Sequence, residues 1–329
     1  MDDNQTRKVQ FIREKIKLDP LAVDMQWSLF SSAALSYRFD TVLRPFPPMF
    51  MSSDNEKDTK SLEQAMREVP NVLRVGSSLS SLSSKTIDLI HWVMDSKSFT
   101  LTTLDKTQFA AIQKMTGHTT EVPSPNFIFE VTPSETNDAK FQVVRNNRKV
   151  FFAYHGSRIE NFHSILHNGL ASHMNKVSMF GEGTYLSGEL AVSMTYSPTG
   201  LTWDCSELGN KLGCVAVCEM IDDSSVKCQE KTGSEDGAKK SRARVTGSMA
   251  GDVPEKYYVV RNNEVMRVRY LVVYAEKTKP KQTGVSRGHV SWFQQNKFVV
   301  MMVVYVLLLL AIGLANSKSF QYQVKRIFR

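Results

Sequence analysis

Apolar residues recur at helical spacing through the first third of the chain. One row of residues four apart follows Pro20, a residue type favoured at the first position of a helix. The row comprises Leu21, Met25, Leu29 and Ala33. Amphipathic segments at 59–69 and 85–96 predict further helices, and the serine-rich stretch 77–84 between them has the composition of a loop. The pattern therefore predicts an all-α domain over residues 1–96.

The pattern changes at about Phe99, where short β-branched and aromatic runs alternate with helical segments. Residues 107–116 predict a helix of this second domain, which we place at 97–279. Strands are predicted where apolar and β-branched residues cluster, at 127–131, 140–144, 150–154, 212–221, 256–260 and 265–274. The second domain therefore combines helices and strands.

Three residues that can bind a ligand follow the predicted strand 150–154: His155, Gly156 and Ser157. Ser157 and Glu160 have the spacing of a capping box, which predicts a helix that starts here and ends near Gly169. Ligand-binding and catalytic groups are common in such connections because a rigid scaffold positions them. This corner is the first candidate site.

A second set of candidate residues lies about thirty positions later. Two glycines in the run 181–185 precede Tyr185, so the backbone can approach a flat ligand that the aromatic ring covers. Ser193 and Tyr196 are three residues apart, and on a helix they project from the same face. The exposed backbone of Gly156, the Ser193 hydroxyl and the rings of Tyr185 and Tyr196 would together form a slot for an aromatic carboxamide such as nicotinamide.

These motifs resemble those of the poly(ADP-ribose) polymerase-like, diphtheria-toxin-type ADP-ribosyltransferases. The shared elements are His-Gly-Ser after a strand, Gly-x-Gly-x-Tyr, a Ser-x-x-Tyr helix and a late strand, within roughly residues 99–277. An apolar segment near the C terminus, residues 298–315, extends the resemblance to tail-anchored mono-ADP-ribosyltransferases of the endoplasmic reticulum. It implies an α+β fold of split antiparallel β-sheets with flanking helices, with NAD+ as the ADP-ribose donor.

The resemblance also implies a role for each motif residue. His155 would hold the 2′-hydroxyl of the adenine-side ribose, and Gly156 and Ser193 would bind the nicotinamide carboxamide. Tyr185 and Tyr196 would sandwich the nicotinamide ring. The implied NAD+ contacts are His155, Gly156, Ser157, Tyr185, Ser193, Tyr196 and Tyr257.

Tyr257 marks a departure from the family pattern, in which most polymerising relatives place a glutamate before an aromatic residue. The implied catalytic set is therefore His155, Tyr185 and Tyr257. A phenol with a pKa near 10 is a poor base at neutral pH, so a sugar hydroxyl would not be activated for chain elongation. The alternative is that Tyr257 packs in the sheet and that Glu255 or Glu264 serves instead.

The sequence argues against two other classes of protein, dehydrogenases and nucleic-acid-binding proteins. The glycines of the run 181–185 lack the third glycine and the strand-to-helix setting of a dinucleotide fingerprint, which excludes a dehydrogenase. The net charge is +8, but the basic residues are scattered and no nucleic-acid-binding motif is present. We therefore expect no specific nucleic-acid partner, and a mild attraction to anionic lipid headgroups instead.

No metal site is expected. The four cysteines include no Cys-x-x-Cys pair and are interpreted as reduced, mostly packed thiols. His163 and His167 have the spacing of a helical metal pair, but no third ligand is evident. We predict that both are surface or capping histidines.

An uncharged apolar segment runs from Phe298 to Ala315 and would be roughly 27 Å long as a helix, close to the ~30 Å hydrocarbon core of a bilayer. It follows a basic linker at 280–296, and only a short tail at 317–329 comes after it. Residues 1–17 are charged and lack a signal-peptide core. We therefore predict a tail anchor at 297–316 with the large N-terminal part in the cytosol. The flanking charges do not distinguish the endoplasmic reticulum from the mitochondrial outer membrane, and the resemblance favours the former.

The sequence thus predicts a membrane-anchored, NAD+-dependent mono-ADP-ribosyltransferase. Its acceptors would be side chains of proteins at the cytosolic face of the membrane, its own included. Two alternatives remain open: a module that binds NAD+ or ADP-ribose without turnover, and a membrane scaffold.

Overall fold

The structure, a computed structural model, describes residues 3–117, 120–170, 180–228, 253 and 256–276, and near the C terminus residues 301, 302, 305, 308 and 309. The chain divides into two compact units, Met1–Thr278 and Lys279–Arg329. The predicted linker at 280–296, most of the apolar segment and the tail at 317–329 lie outside the described residues. Among the described residues, no helix has both the length and the apolar character required to cross a bilayer.

The helical region, residues 3–94, confirms the predicted all-α character. Its helices are α1 Asp3–Leu18, α2 Pro20–Ala34, α3 Phe39–Val42, α4 Thr59–Glu68, α5 Val72–Ser78 and α6 Ser84–Met94. Helix α2 starts at Pro20, as predicted, and the Asp19 carboxylate caps it by accepting from the Ala22 amide at 3.0 Å. The predicted loop at 77–84 is wrong in part: α5 reaches Ser78, and the 3₁₀ turn Leu79–Ser81 follows because Leu79 is fully buried in the core.

The sheet region, residues 99–276, is built on one antiparallel sheet. Its described strands are β1 Phe99–Leu104, β2 Phe127–Pro133, β3 Val150–Ser157, β4 Thr184–Ser187, β5 Gly200–Leu201, β6 Lys211–Ile221, β7 Val226–Lys227, β8 Tyr257–Val260 and β9 Met266–Ala275. The order is β1-β2-β9-β6-β3-β4-β8-β7, with β5 beside β6. Strands β6 and β9 lie at its centre: β6 is almost completely buried, as a continuous apolar strand should be, whereas β9 alternates between buried and partly exposed residues.

Four of the described helices flank the sheet: α7 Gln108–Thr116, α8 Glu135–Arg145, α9 Phe162–Asn168 and α10 Leu190–Thr195. The predicted strand at 140–144 is wrong, because this segment belongs to α8. Acidic residues in its first turn favour the helix, and Phe141 is buried beneath the Arg267 guanidinium, 4.0 Å from the ring centroid. Val143 is exposed instead of facing a sheet core.

The predicted capping box is also wrong. Ser157 belongs to β3, and its hydroxyl accepts a hydrogen bond from the side-chain amide of Asn161 at 2.8 Å. The chain then makes the 3₁₀ turn Ile159–Asn161 before α9 begins. The Glu160 carboxylate lies 3.9 Å from the Arg38 guanidinium instead of capping the helix. The strand-to-helix corner exists, but it is built by side chains other than the predicted pair.

The helical region packs against the sheet region through buried polar groups. Asp24 is fully buried and accepts from the Ser206 hydroxyl at 2.5 Å and from the Glu207 amide at 2.7 Å. Burial raises the pKa of this carboxyl in spite of these hydrogen bonds. A buried acid with its hydrogen bonds satisfied fixes the relative position of the two regions.

His163 and His167 were predicted to be surface or capping residues, and for His163 this is wrong. Its ring is buried against Phe30 and Trp92 of the helical region, and its Nε2 donates to the Pro45 carbonyl at 3.1 Å. Burial lowers the pKa of His163 to about 3 and that of the partly buried His167 to about 4. Both imidazoles are therefore neutral.

Candidate active site

The candidate residues gather where β3 and β4 separate. Strand β3 pairs with β6 along its whole length, whereas its described pairing with β4 is the single pair Tyr154↔Ser187. Beyond Tyr154 the two strands therefore diverge. The sequence-predicted residues His155, Gly156 and Ser157 lie at this opening.

His155 is positioned as a hydrogen-bond acceptor. Its Nδ1 lies 2.9 Å from the backbone oxygen of Tyr185. A carbonyl only accepts, so Nδ1 carries the proton, and the Nε2 of the neutral ring is an acceptor. Burial lowers the pKa of this imidazole, which favours the neutral form. The ring is thus suited to accept a hydrogen bond from a hydroxyl group of a ligand.

Gly156 is enclosed by α10. A Cβ atom at this position would lie 1.9 Å from the Ser193 carbonyl oxygen and 2.8 Å from its carbon. Only a residue without a side chain allows this approach. The close packing brings Ser193 to the corner, where its buried hydroxyl donates to the Tyr154 carbonyl at 3.0 Å. Its oxygen can still accept from a carboxamide N–H.

Ser197 is a site residue that the sequence reasoning missed. Its hydroxyl accepts from the Ser157 amide at 3.1 Å and lies 3.3 Å from the Ser193 carbonyl. It therefore joins β3 to the end of α10. Its position four residues after Ser193 was the available signal, because such residues share a helix face.

Tyr185 is held by its hydroxyl. The phenol oxygen accepts from the Phe180 amide at 2.9 Å and donates to the Gly181 carbonyl at 2.6 Å. Burial raises the pKa of the phenol, so it remains protonated. The ring is therefore fixed in place, and it fixes the glycine-containing turn that precedes β4.

Tyr257 lies on the same face of the sheet as Tyr185. The register pairs Tyr185 with Val259 and Ser187 with Tyr257, and side chains alternate between faces along each strand. The pKa of Tyr257 is raised by burial and secondarily by the nearby Tyr196 phenol. The structure thus brings these three tyrosines to one site, although Tyr196 is 63% exposed.

Phe180 is a further aromatic residue that the sequence reasoning did not assign to the site. Its ring centroid lies 6.4 Å from that of Tyr185 and 6.5 Å, edge-on, from that of Tyr257. Of the alternative acids, Glu255 lies outside the described residues, and Glu264 lies in the 3₁₀ turn Asn263–Val265, after the end of β8. An aromatic cluster therefore surrounds the position that Tyr257 occupies.

An ion pair ties β8 to the start of α10. The Lys256 ammonium contacts the Glu189 carboxylate, whose other oxygen accepts from the Thr120 hydroxyl at 2.6 Å. In addition, the Gly188 amide donates to the Lys256 carbonyl at 2.8 Å. These contacts hold the strand that carries Tyr257 against the helix that carries Ser193. They join positions far apart in the sequence, so no local pattern revealed them.

The groups at the site suit a dinucleotide. Within the described ranges, no three histidine, cysteine, aspartate or glutamate side chains cluster as a metal site requires. The site instead presents a neutral imidazole acceptor, a crowded glycine, a buried serine hydroxyl and aromatic rings. Such groups bind sugar hydroxyls, a carboxamide and a planar heterocycle.

Comparison with known proteins places these observations in a family. Residues 106–276 match the poly(ADP-ribose) polymerase catalytic domain, and residues 14–94 match the ARTD15 N-terminal domain. The chain is 44% identical to human protein mono-ADP-ribosyltransferase PARP16 over 94% of its length and 95% of the relative, and 42% identical to mouse PARP16 over 96% and 97%. Mouse protein mono-ADP-ribosyltransferase PARP8 is 24% identical over 56% of this chain and 23% of that protein. The chain therefore belongs to the poly(ADP-ribose) polymerase family of ADP-ribosyltransferases.

Proposed function

We propose that this chain is an NAD+-dependent protein mono-ADP-ribosyltransferase. The observation that carries the proposal is the convergence of His155, Tyr185 and Tyr257 on the opening between β3 and β4. The PARP16 relatives are named as protein mono-ADP-ribosyltransferases, which supports the same activity. The reaction would transfer ADP-ribose from NAD+ to a protein side chain and release nicotinamide.

Each residue has a task that its contacts allow. His155 accepts a hydrogen bond from the 2′-hydroxyl of the adenine-side ribose through Nε2. Gly156 and Ser193 bind the carboxamide of nicotinamide through backbone and hydroxyl groups, while Tyr185 and Tyr196 cover its ring. A preorganised site from which water is excluded stabilises the positive charge that develops on the ribose as the bond to nicotinamide breaks.

Tyr257 accounts for transfer of single units. Its phenol can bond to a ribose hydroxyl, but its pKa is raised above an already high value, so it does not act as a base at neutral pH. A carboxylate acceptor arrives ionised and requires no base. The hydroxyl of a bound ADP-ribose would require one, so elongation stops after one unit.

We also propose a membrane anchor at 297–316. Five apolar residues of this segment are described, and all are helical and exposed: Met301, Met302, Tyr305, Leu308 and Leu309. A row of exposed apolar side chains along one face of a helix favours a lipid environment over water. We place the protein in the endoplasmic reticulum membrane as a single-pass protein, with the catalytic domain in the cytosol.

Incubation of the purified protein with labelled NAD+ tests the activity. The wild type should label itself, whereas His155→Ala and Tyr185→Ala should each label about ten- to hundredfold more slowly, because each loses a ligand contact of about 1 to 3 kcal/mol. Thermal denaturation checks that both variants are folded. Reversible NAD+ binding without labelling would instead identify a binding module. If the protein neither bound NAD+ nor became labelled, it would be a membrane scaffold.

Carbonate extraction of microsomes tests the anchor. The protein should remain in the pellet, and lysines at Val304 and Leu308 should release it, since a charge at the centre of a membrane helix costs about 3 kcal/mol on insertion scales. The matched control places two lysines at Leu35 and Val143, which are 55% and 78% exposed, and it should stay in the pellet. External protease that spares the N-terminal part in intact microsomes would contradict the orientation.

A further inference from the structure

The helical region shares a cavity with His155. The cavity has a volume of about 110 Å³ and lies between α3 and the β3–α9 corner. From the sheet region it is lined by His155, Ser157, Asn161 and Thr184, among others, and from the helical region by Arg38, Thr41 and Val42. Of the described residues that line it, Arg38 carries the only full charge, because His155 is neutral.

The segment that carries Arg38 is held against the sheet region. The side-chain amide of Asn168 donates to the Arg44 carbonyl at 3.0 Å, and the buried His163 ring donates to the Pro45 carbonyl at 3.1 Å. Both donors belong to α9, the helix that leads away from the candidate active site. Hydrogen bonds at the end of this short segment fix the position of α3, so the wall that it contributes to the cavity is preformed.

The guanidinium of Arg38 retains capacity for a ligand. The guanidinium lies 3.9 Å from the Glu160 carboxylate, which is beyond hydrogen-bonding distance. The Arg38 side chain is 33% exposed, whereas that of Glu160 is 15% exposed. Among the described residues, no side-chain hydrogen bond of this guanidinium is found. Its planar donors therefore remain available for an anion, and phosphate is the anion whose geometry they match well.

We propose that Arg38 completes the subsite for the adenosine half of NAD+, with its guanidinium bonded to the diphosphate. The inference rests on the proposed function, which assigns the adenine-side ribose to His155 in the same cavity. In NAD+ the diphosphate is attached to that ribose, so a cation across the cavity from His155 lies within reach of it. The helical region is then part of the substrate site, and Arg38 is a residue that binds the donor.

Kinetics of self-labelling by the full chain test this assignment. Arg38→Ala should raise the KM for NAD+ about tenfold, the lower end of what a charged hydrogen bond contributes, because the side chain is partly exposed to water. Inhibition by ADP-ribose should weaken by a similar factor, and inhibition by nicotinamide should not change. Arg38→Lys should recover part of the loss because it restores the charge without the planar donors.

Two controls separate ligand binding from a structural role. Arg67→Ala removes another arginine–glutamate pair of the helical region, with Glu63, and should leave the KM unchanged. Glu160→Gln removes the charged partner of Arg38 but keeps the guanidinium, so the KM should not rise. If Glu160→Gln raises the KM as much as Arg38→Ala does, the pair serves to dock α3, and the proposal is wrong.

The inference can fail independently of the proposed function. If a folded Arg38→Ala variant has the same KM for NAD+ as the wild type, the assignment of Arg38 is wrong, but the proposed transferase activity is unaffected. If the wild type does not label, calorimetric titration with ADP-ribose still decides, because Arg38→Ala should weaken its binding about tenfold. Equal affinity of the two proteins for ADP-ribose would overturn the inference.

Discussion

Substitution of Gly156 by alanine provides a sharp test of the site geometry. The added methyl group would lie 1.9 Å from the Ser193 carbonyl oxygen and 3.1 Å from the Ser197 hydroxyl. The first of these atoms belongs to the backbone of α10 and cannot move without displacing that helix. The change therefore acts through packing on the end of the site that we assign to nicotinamide, without removing a side chain.

The expected cost follows from the overlap. Adding a methylene-sized group to a well-packed core costs typically 1 to 3 kcal/mol, and contact with backbone favours the upper end. For a domain of this size, 1 kcal/mol corresponds to roughly 2 to 4 °C in the melting temperature. We therefore expect Gly156→Ala to melt about 5 to 10 °C lower and to label at least tenfold more slowly, since Ser193 moves with the helix.

Gly76→Ala is the matched control. Gly76 lies in α5, where an added Cβ meets no atom within 4 Å. Alanine there should be neutral or stabilise the protein by about 0.5 to 1 kcal/mol, because it lowers the entropy of the unfolded chain. Differential scanning fluorimetry and self-labelling measure both variants. Wild-type melting and labelling for Gly156→Ala would refute the packing of α10 on β3 and the site built on it.

Three further predictions concern single groups. Tyr185→Phe keeps the ring but removes the hydroxyl bound to the Phe180 amide, so labelling should fall about tenfold in folded protein; unchanged labelling would mean that the turn does not depend on this bond. Tyr257→Phe should weaken labelling without altering product length, and no effect at all would reduce Tyr257 to a packing residue. His163 and His167 have folded pKa values of about 3 and about 4 against an ordinary 6.5, so the unfolded chain takes up protons first. Their contribution to the free energy of unfolding is complete above about pH 6.5 and declines towards pH 4, with a loss of roughly 2 kcal/mol per histidine at pH 5. Urea titrations at several pH values should show this loss, and glutamine at both positions should reduce the pH dependence.

Much of the fold was predictable because local signals agreed with tertiary packing. Pro20 after Asp19 gave the start of α2, and the apolar runs gave β6 and β9 as central strands. The corner at the end of β3 was also predicted, although β3 continues through His155 and Gly156 to Ser157 instead of ending at Tyr154. In each case the residues of a single segment were enough to predict its structure.

The rest depended on contacts between distant segments. The helix α8 contains a run that resembles a strand, and its helical state is stabilised by Arg267, which contacts both Asp138 and Phe141. Spacing alone suggested an exposed pair of histidines, but the helical region covers His163. Arg38 lines the His155 cavity from more than a hundred positions away, and nothing in its own neighbourhood marks it.

The length of the product on wild-type protein tests the central claim most directly. After incubation with labelled NAD+, the modified protein is resolved on a denaturing gel, and the released adduct is weighed by mass spectrometry. A phenol at position 257 predicts one ADP-ribose per modified side chain and a compact labelled band at the mass of the chain. A ladder of long polymers on the wild type would contradict the assignment of Tyr257 and the single-transfer mechanism built on it.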